Sequence, residues 1–160
     1  MRRRDRQLTD IADIDAILQA EKVFRLGISD PGASAPYVLP LNYGYEWQGS
    51  RLRFVFHGAS AGRKYELLLQ SPQVGFELDG SHQHIPADTA CEYGFSFRSI
   101  IGTGVVCMLT EDAAKRNAVD LLMRCQTGRT FPIDDKALAK TAVYELISED
   151  FQAKQCKGKE

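Results

Sequence analysis

Arg63 and Lys64 are adjacent cations that directly follow a run of small residues, Gly58-Ala59-Ser60-Ala61-Gly62, and directly precede the apolar-periodic Tyr65, Leu68 and Leu69. A helix starting here offers unpaired backbone N–H groups, the positive end of its dipole and two cationic heads, which together suit a phosphate monoester. A solvated basic pair after a glycine turn is the plainer reading, and the residues alone leave both open. The run lacks G-x-x-x-x-G-K-[ST], so triphosphate and magnesium chemistry have no support in it. His57 stands just before the small residues, where it could touch a bound ring or hydrogen-bond within the loop.

Other reactive residue types carry less. His82 and His84 share a face of any extended segment, and Asp79, Asp88 or Cys91 could complete a metal shell. A polar loop whose histidines cap turns accounts for them as well, and no metal site is expected. Cys91 with His82 or His84 is a weak nucleophile–base pair, and no Ser-His-Asp set can be picked out. Cys91, Cys107, Cys125 and Cys156 form no C-x-x-C and read as free thiols. Gly102-Thr103-Gly104-Val105-Val106-Cys107 lacks the last glycine of a dinucleotide fingerprint and sits within a strand pattern, so it reads as a bulged strand.

The elements that must position these groups follow from periodicity. Thr9 or Asp10 caps a first helix over about 10–20, with Ile11, Ile14 and Leu18 on one face. Val23–Ser29 reads as a strand, Asp30-Pro31-Gly32 as a turn and Tyr37–Tyr43 as the returning strand, in which Pro40 requires an edge, a bulge or backbone left free for a ligand. A hairpin closing near Trp47-Gln48-Gly49-Ser50 leads into Arg51–His57, with Leu52, Phe54 and Phe56 on one face and His57 on the other. A helix over 62–71 ends at Ser71-Pro72. Gln73–Asp79 reads as a half-buried strand ending at Asp79-Gly80, a loop holds His82 to Cys91, and Tyr93–Cys107 reads as a long bent strand. Thr110 caps the clearest helix, carrying Ala114, Ala118, Leu121, Leu122 and Cys125 and stopping at Gly128. A short helical piece at 135–140, a last strand over Thr141–Ile147 and a polar tail, frayed from about 152–154, complete the chain. Six or seven hairpin-joined strands with few helices predict a mainly β chain, an antiparallel barrel with peripheral helices rather than a doubly wound sheet.

A chain of 160 residues, 44% hydrophobic and 26% charged, fits one globular domain over 1–160. Its formal charge of -1 gives no general pull toward nucleic acid or an anionic membrane. The basic start Met1-Arg2-Arg3-Arg4 is not followed by an apolar run, and no stretch approaches the roughly 20 residues of a membrane span. A cytoplasmic protein is expected.

Taken together, Val38-Leu39-Pro40-Leu41-Asn42-Tyr43-Gly44-Tyr45, Phe56-His57-Gly58-Ala59 with Gly62-Arg63-Lys64, Thr89-Ala90-Cys91-Glu92-Tyr93-Gly94 and Arg98-Ser99-Ile100-Ile101-Gly102-Thr103-Gly104 resemble the pyridoxamine 5'-phosphate oxidase-related flavoproteins, and among them the nitroimidazole-resistance group. The resemblance runs from Arg3 to Tyr144. It implies a split β-barrel homodimer with FMN at the subunit interface. Arg63 and Lys64, with Gly62, would hold the phosphate. Leu39, Pro40, Leu41 and Asn42 would lie along the flavin ring through backbone contacts. His57, with Gly58 and Ala59, would sit near the ring and the substrate, His57 as the one candidate catalytic residue. Ser99 and Ile100 would come from the other subunit. The implied activity is reduction of a small electron-poor acceptor such as a nitroaromatic, with electrons from NAD(P)H or another donor. A flavin or haem-type carrier without turnover is the alternative. The chain departs from its relatives after Leu121-Leu122-Met123-Arg124, where Cys125-Gln126 replaces a histidine-tyrosine pair, which bears on the substrate more than on flavin.

Overall fold

The computed structural model describes residues 3–157; the first residues of the basic start and the last of the tail lie outside them. The strands are β1 (Gln7–Leu8), β2 (Val23–Ile28), β3 (Tyr37–Asn42), β4 (Gly44–Gln48), β5 (Arg51–Ala59), β6 (Gln73–Ile85), β7 (Gly94–Leu109) and β8 (Thr141–Cys156). The helices are α1 (Ile11–Ala20), α2 (Arg63–Gln70), α3 (Asp112–Thr127) and α4 (Asp135–Ala139). All pairings are antiparallel, in the order β3-β2-β6-β7-β8-β5-β4, with β1 added beside β8. The seven strands of that path match the expected mainly β barrel.

Its two ends, β3 and β4, are consecutive in the chain and separated only by Tyr43. One extended segment therefore turns a corner at Tyr43 and serves both edges of the sheet. Tyr43 is buried, and its hydroxyl lies 3.0 Å from the Leu18 and Glu21 carbonyl oxygens, sharing its proton between them. Those acceptors belong to the end of α1, so the corner is bolted to the helix that covers the barrel mouth.

Alternation fills the barrel. Leu52, Phe54 and Phe56 of β5 are fully buried, with Phe24, Leu26 and Ile28 of β2 and Leu78 of β6. Phe24 stacks on Phe54 at 5.4 Å, and Phe56 stacks on Tyr144 at 5.1 Å. Val55 points the other way, into a second cluster with Ala118, Leu122, Leu138 and Val143 that seats α3 and α4 outside the barrel.

Several local expectations change. Ile11 is 56% exposed, and Ile17 takes its place on the buried face of α1, because the helix docks through i, i+3, i+4 positions from Ile14. Asp10 is its cap, accepting from the Ala12 N–H at 2.8 Å. Glu111, not Thr110, is the cap residue of α3, and it makes no side-chain cap bond. The strand expected to end at Asp79-Gly80 continues to Ile85. It absorbs its irregularity as a register shift between Gly80 and Gln83, with Ser81 at φ 57°, so His82 and His84 are strand residues. The tail expected to fray from 152–154 is strand through Cys156, because Phe97–Ile101 pairs along one side of it and Gln7–Leu8 along the other.

Candidate functional site

Gly62 precedes α2 at φ 95°, a backbone state open to glycine, and supplies no side-chain cap. The first N–H groups of α2 thus have no side chain bound to them. Arg63, the first helical residue, donates from Nη2 to Asp30 Oδ2 at 2.7 Å, and its guanidinium lies 4.6 Å from the Tyr37 ring centre. Asp30 in turn accepts from the Gly32 N–H at 2.9 Å. The Arg63 bond and then the Gly32 bond hold its carboxyl below the usual carboxylate range. The guanidinium is therefore held against the β2–β3 turn by one ion pair and one stacking contact, with no other side-chain partner among the described residues.

Lys64 takes a different course. Its Nζ turns back to the His57 carbonyl at 3.3 Å and lies 5.8 Å from the Tyr144 ring centre, in space that a side chain at Gly58 would fill. Burial lowers its pKa. His57 itself is exposed, and partial desolvation against the loop, followed by the nearby Lys64 charge, lowers its pKa and favours the neutral imidazole. The Tyr144 hydroxyl is buried beside this group without a hydrogen-bond partner. The two cations therefore diverge, Arg63 toward Asp30 and Tyr37 and Lys64 toward the His57 carbonyl and Gly58, with the ammonium directed inward rather than toward the start of α2.

The remaining residues separate. β3 is an edge strand paired only with β2, so Pro40, opposite Arg25, sits where a missing N–H is tolerated. Val38, Pro40 and Asn42 face outward and are exposed, whereas Leu39 and Leu41 pack toward the core, leaving only their backbone for any ligand. Ser99 and Ile100 lie on β7, three strands from β3, roughly 14 Å at ordinary strand spacing. The Ile100 side chain is fully buried in this chain's own core, whereas Ser99 is half-buried and Ile101 is 43% exposed.

Outside the barrel, Gly27 faces Gly75 and Gly75 faces Thr103, forming the floor of an open groove of about 500 Å³ that ends at Asp30. The groove therefore runs from the Arg63–Asp30 pair across the outer face of β2, β6 and β7. Asp30 and Tyr37 join the site only through the fold, since nothing in the sequence links positions 30 and 37 to 63. Gln126 was marked only as a departure from relatives. His82 and His84 lie away from this cluster: His82 Nε2 is 2.7 Å from Asp79 Oδ2, and both imidazoles pack on Phe95.

A family model described as pyridoxamine 5'-phosphate oxidase matches residues 10–155. No curated protein matches the sequence. Among solved structures, a candidate 5-nitroimidazole antibiotic resistance protein from Bacteroides thetaiotaomicron is similar at 24% identity and TM-score 0.75, over 94% of this chain and 89% of its own. A protein from Mycobacterium smegmatis described as FAD and heme binding reaches TM-score 0.80 at 21% identity, over 96% of this chain and 74% of its own. The flavocytochrome of Azotobacter vinelandii reaches TM-score 0.75 at 26% identity, over 99% of this chain and 72% of its own. At such identities the structural likeness speaks for the fold, while the family rests on the match along nearly the whole sequence. With that match and the antiparallel barrel built on it, the chain belongs to the pyridoxamine 5'-phosphate oxidase family.

Proposed function

We propose that this chain is an FMN-dependent oxidoreductase acting as a homodimer. The observation that carries the reading is the start of α2: an uncapped helix N-terminus whose first residue, Arg63, is held in place by Asp30 and Tyr37 beside the free edge of β3. The donor set fits a phosphate monoester, since backbone N–H groups and a guanidinium fork all donate and the dipole favours a dianion. Lys64, with its ammonium on the His57 carbonyl, adds charge at short range. The backbone of Pro40 to Asn42 offers unladdered polar groups to a ring edge.

Bound flavin would supply electron transfer from a reduced nicotinamide nucleotide, or another donor, to a small electron-poor acceptor such as a nitroaromatic. His57, whose lowered pKa favours the neutral imidazole, is the side chain suited to donate a hydrogen bond near the ring.

The homodimer is supported by surface. The chain exposes 9710 Å², about 1,700 Å² more than the roughly 8,000 Å² that monomers of 17.9 kDa expose. Val38 at 60%, Val105 at 46% and Ile101 at 43% lie exposed on the outer sheet face that carries the glycine-floored groove. A second copy on this face would bury that apolar area and bring its Ser99 toward the groove.

A carrier without turnover is the second reading, favoured by the likeness to proteins named for binding FAD and heme. One experiment orders the two. Purified protein is expected to be yellow and to bleach when mixed anaerobically with NADH or NADPH, then to recover on addition of a nitroaromatic. Flavin that no donor reduces assigns the carrier role; a colourless protein that takes up no added FMN rejects both flavin readings. Cytoplasmic location stays part of this proposal; among the described residues no helix is long and apolar enough to cross a membrane.

A further inference from the structure

The corner at Tyr43 is held from outside by the end of α3. Gln126 Nε2 donates to the Tyr43 carbonyl at 2.7 Å and to the Lys22 carbonyl at 3.0 Å, and its Oε1 lies 3.4 Å from Asn42 Nδ2. Asn42 Nδ2 also donates to the Lys22 carbonyl, at 3.1 Å. Two carbonyl acceptors require the amide nitrogen on that side, so the orientation of the glutamine is fixed by chemistry. The Lys22 ammonium donates to the Cys125 carbonyl at 2.8 Å, occupying one of the last carbonyls of α3, and the Cys125 thiol faces the Tyr45 carbonyl at 3.7 Å. Behind the corner, Gly44 lies so close to α3 that an added Cβ would stand 2.5 Å from Leu122 Cα. All of these contacts but the Asn42–Lys22 bond tie the seam between the two sheet ends to the last turns of α3, and among the described residues Gln126 alone bridges Lys22, Asn42 and Tyr43.

We infer that Gln126 is the positioning residue of the proposed flavin edge: its amide latches the β3–β4 corner and thereby sets where Asn42 and the Pro40–Asn42 backbone stand. The inference rests on the flavin reading above for its functional half and on the hydrogen bonds alone for its structural half. A histidine or tyrosine at 126 would present a ring in place of an amide and could not donate to both carbonyls while accepting from Asn42. The Cys125-Gln126 departure thus gives this chain an amide latch at its corner.

The test uses Gln126→Glu, nearly isosteric but unable to donate, and reads two quantities on the full chain. Hydrogen–deuterium exchange of flavin-free protein is expected to be about tenfold faster for the backbone spanning residues 42–45, as loss of donors to two carbonyls implies. FMN titration is expected to show about tenfold weaker binding, and Asn42→Ala is expected to add little in the Gln126→Glu background. Lys22→Met is the control: it loosens the end of α3 but leaves the amide latch, and it should leave FMN affinity within about twofold. Unchanged exchange overturns the latch. Faster exchange with unaltered FMN affinity, or equal damage from Lys22→Met, overturns the positioning role. Should Gln126→Glu fail to fold, Gln126→Leu is read by the same criteria. Wild-type protein that takes up no FMN sinks the flavin reading and the functional half with it, and the exchange result then decides the latch alone.

Discussion

Gly44→Ala puts the barrel seam to a severe test. An added Cβ would stand 2.5 Å from Leu122 Cα, 2.7 Å from Leu122 N and 2.9 Å from Leu121 C. All three are helix backbone atoms, so no side-chain rotation relieves the clash, and α3 must move by the better part of an ångström. Its inner face, Ala118 and Leu122, packs on Val55 and Val143, which are 0% and 1% exposed, so the shift opens a gap in that cluster. Overpacking of this kind costs typically 1–3 kcal/mol. We expect about 2 kcal/mol or more, equivalent to roughly 4–8 °C in Tm for a chain of this length. The assay is urea unfolding followed by tyrosine and tryptophan fluorescence, with thermal melts alongside. Gly49→Ala provides the contrast: nothing lies within 4 Å of its Cβ, and at φ 64° it carries only local backbone strain, about 1 kcal/mol. A Gly44→Ala variant within about 0.5 kcal/mol of wild type would refute the seam's tightness, since ordinary surface substitutions fall in that range. A variant that folds should also show weaker FMN binding, because α3 carries Gln126 away from Tyr43.

Two further outcomes bear on the site. Arg63→Ala with Lys64→Ala is expected to weaken FMN retention by at least about a hundredfold, since charged hydrogen bonds are each worth roughly 1.5–3 kcal/mol; equilibrium dialysis measures it, and unchanged affinity removes the phosphate assignment. Most of that loss should come from Arg63, because Lys64 is engaged with the His57 carbonyl. His57 has its pKa lowered in the folded state, so the unfolded chain binds the proton more readily. Its contribution is neutral well above the ordinary histidine value of about 6.5 and becomes destabilising as pH falls through that value toward the lowered native one. His57→Gln should therefore flatten the decline of Tm between about pH 7.5 and pH 5, and a variant with the wild-type slope would contradict the lowered pKa of this imidazole.

Much of the fold was legible because it rests on local rules. Alternation in Arg51–His57 gave β5 and the direction of His57, Asp30-Pro31-Gly32 gave the β2–β3 turn, and Pro40 left an edge, a bulge or free backbone open, of which the structure takes the edge. Misplaced boundaries share one cause. Lys154 and Gln155 are polar and look like tail residues, yet they pair with Ser99 and Arg98 on one side, and Lys154 with Gln7 on the other. Ladder partners from distant sequence outweighed composition. Gly80 likewise read as an end, but a register shift let the strand continue past it.

For the candidate site, the sequence by itself determined the chemistry: adjacent cations after small residues at a helix start, a histidine facing away from the core row of its strand, and a proline that removes a ladder donor. The strand expected to end at His57 runs on to Ala59 because Gly58 and Ala59 pair with Ala142 and Thr141. Only the tertiary structure decided how that chemistry is deployed. It paired Arg63 with Asp30, 33 positions away, turned Lys64 inward over Gly58, and buried Ile100 while leaving Ile101 exposed. It also brought Gln126 across 83 positions to Tyr43. The physical reason is that residue type and local spacing fix which groups can donate, accept or carry charge. Which groups meet is set by the closure of one sheet around a shared corner, a pairing between segments that no local pattern records.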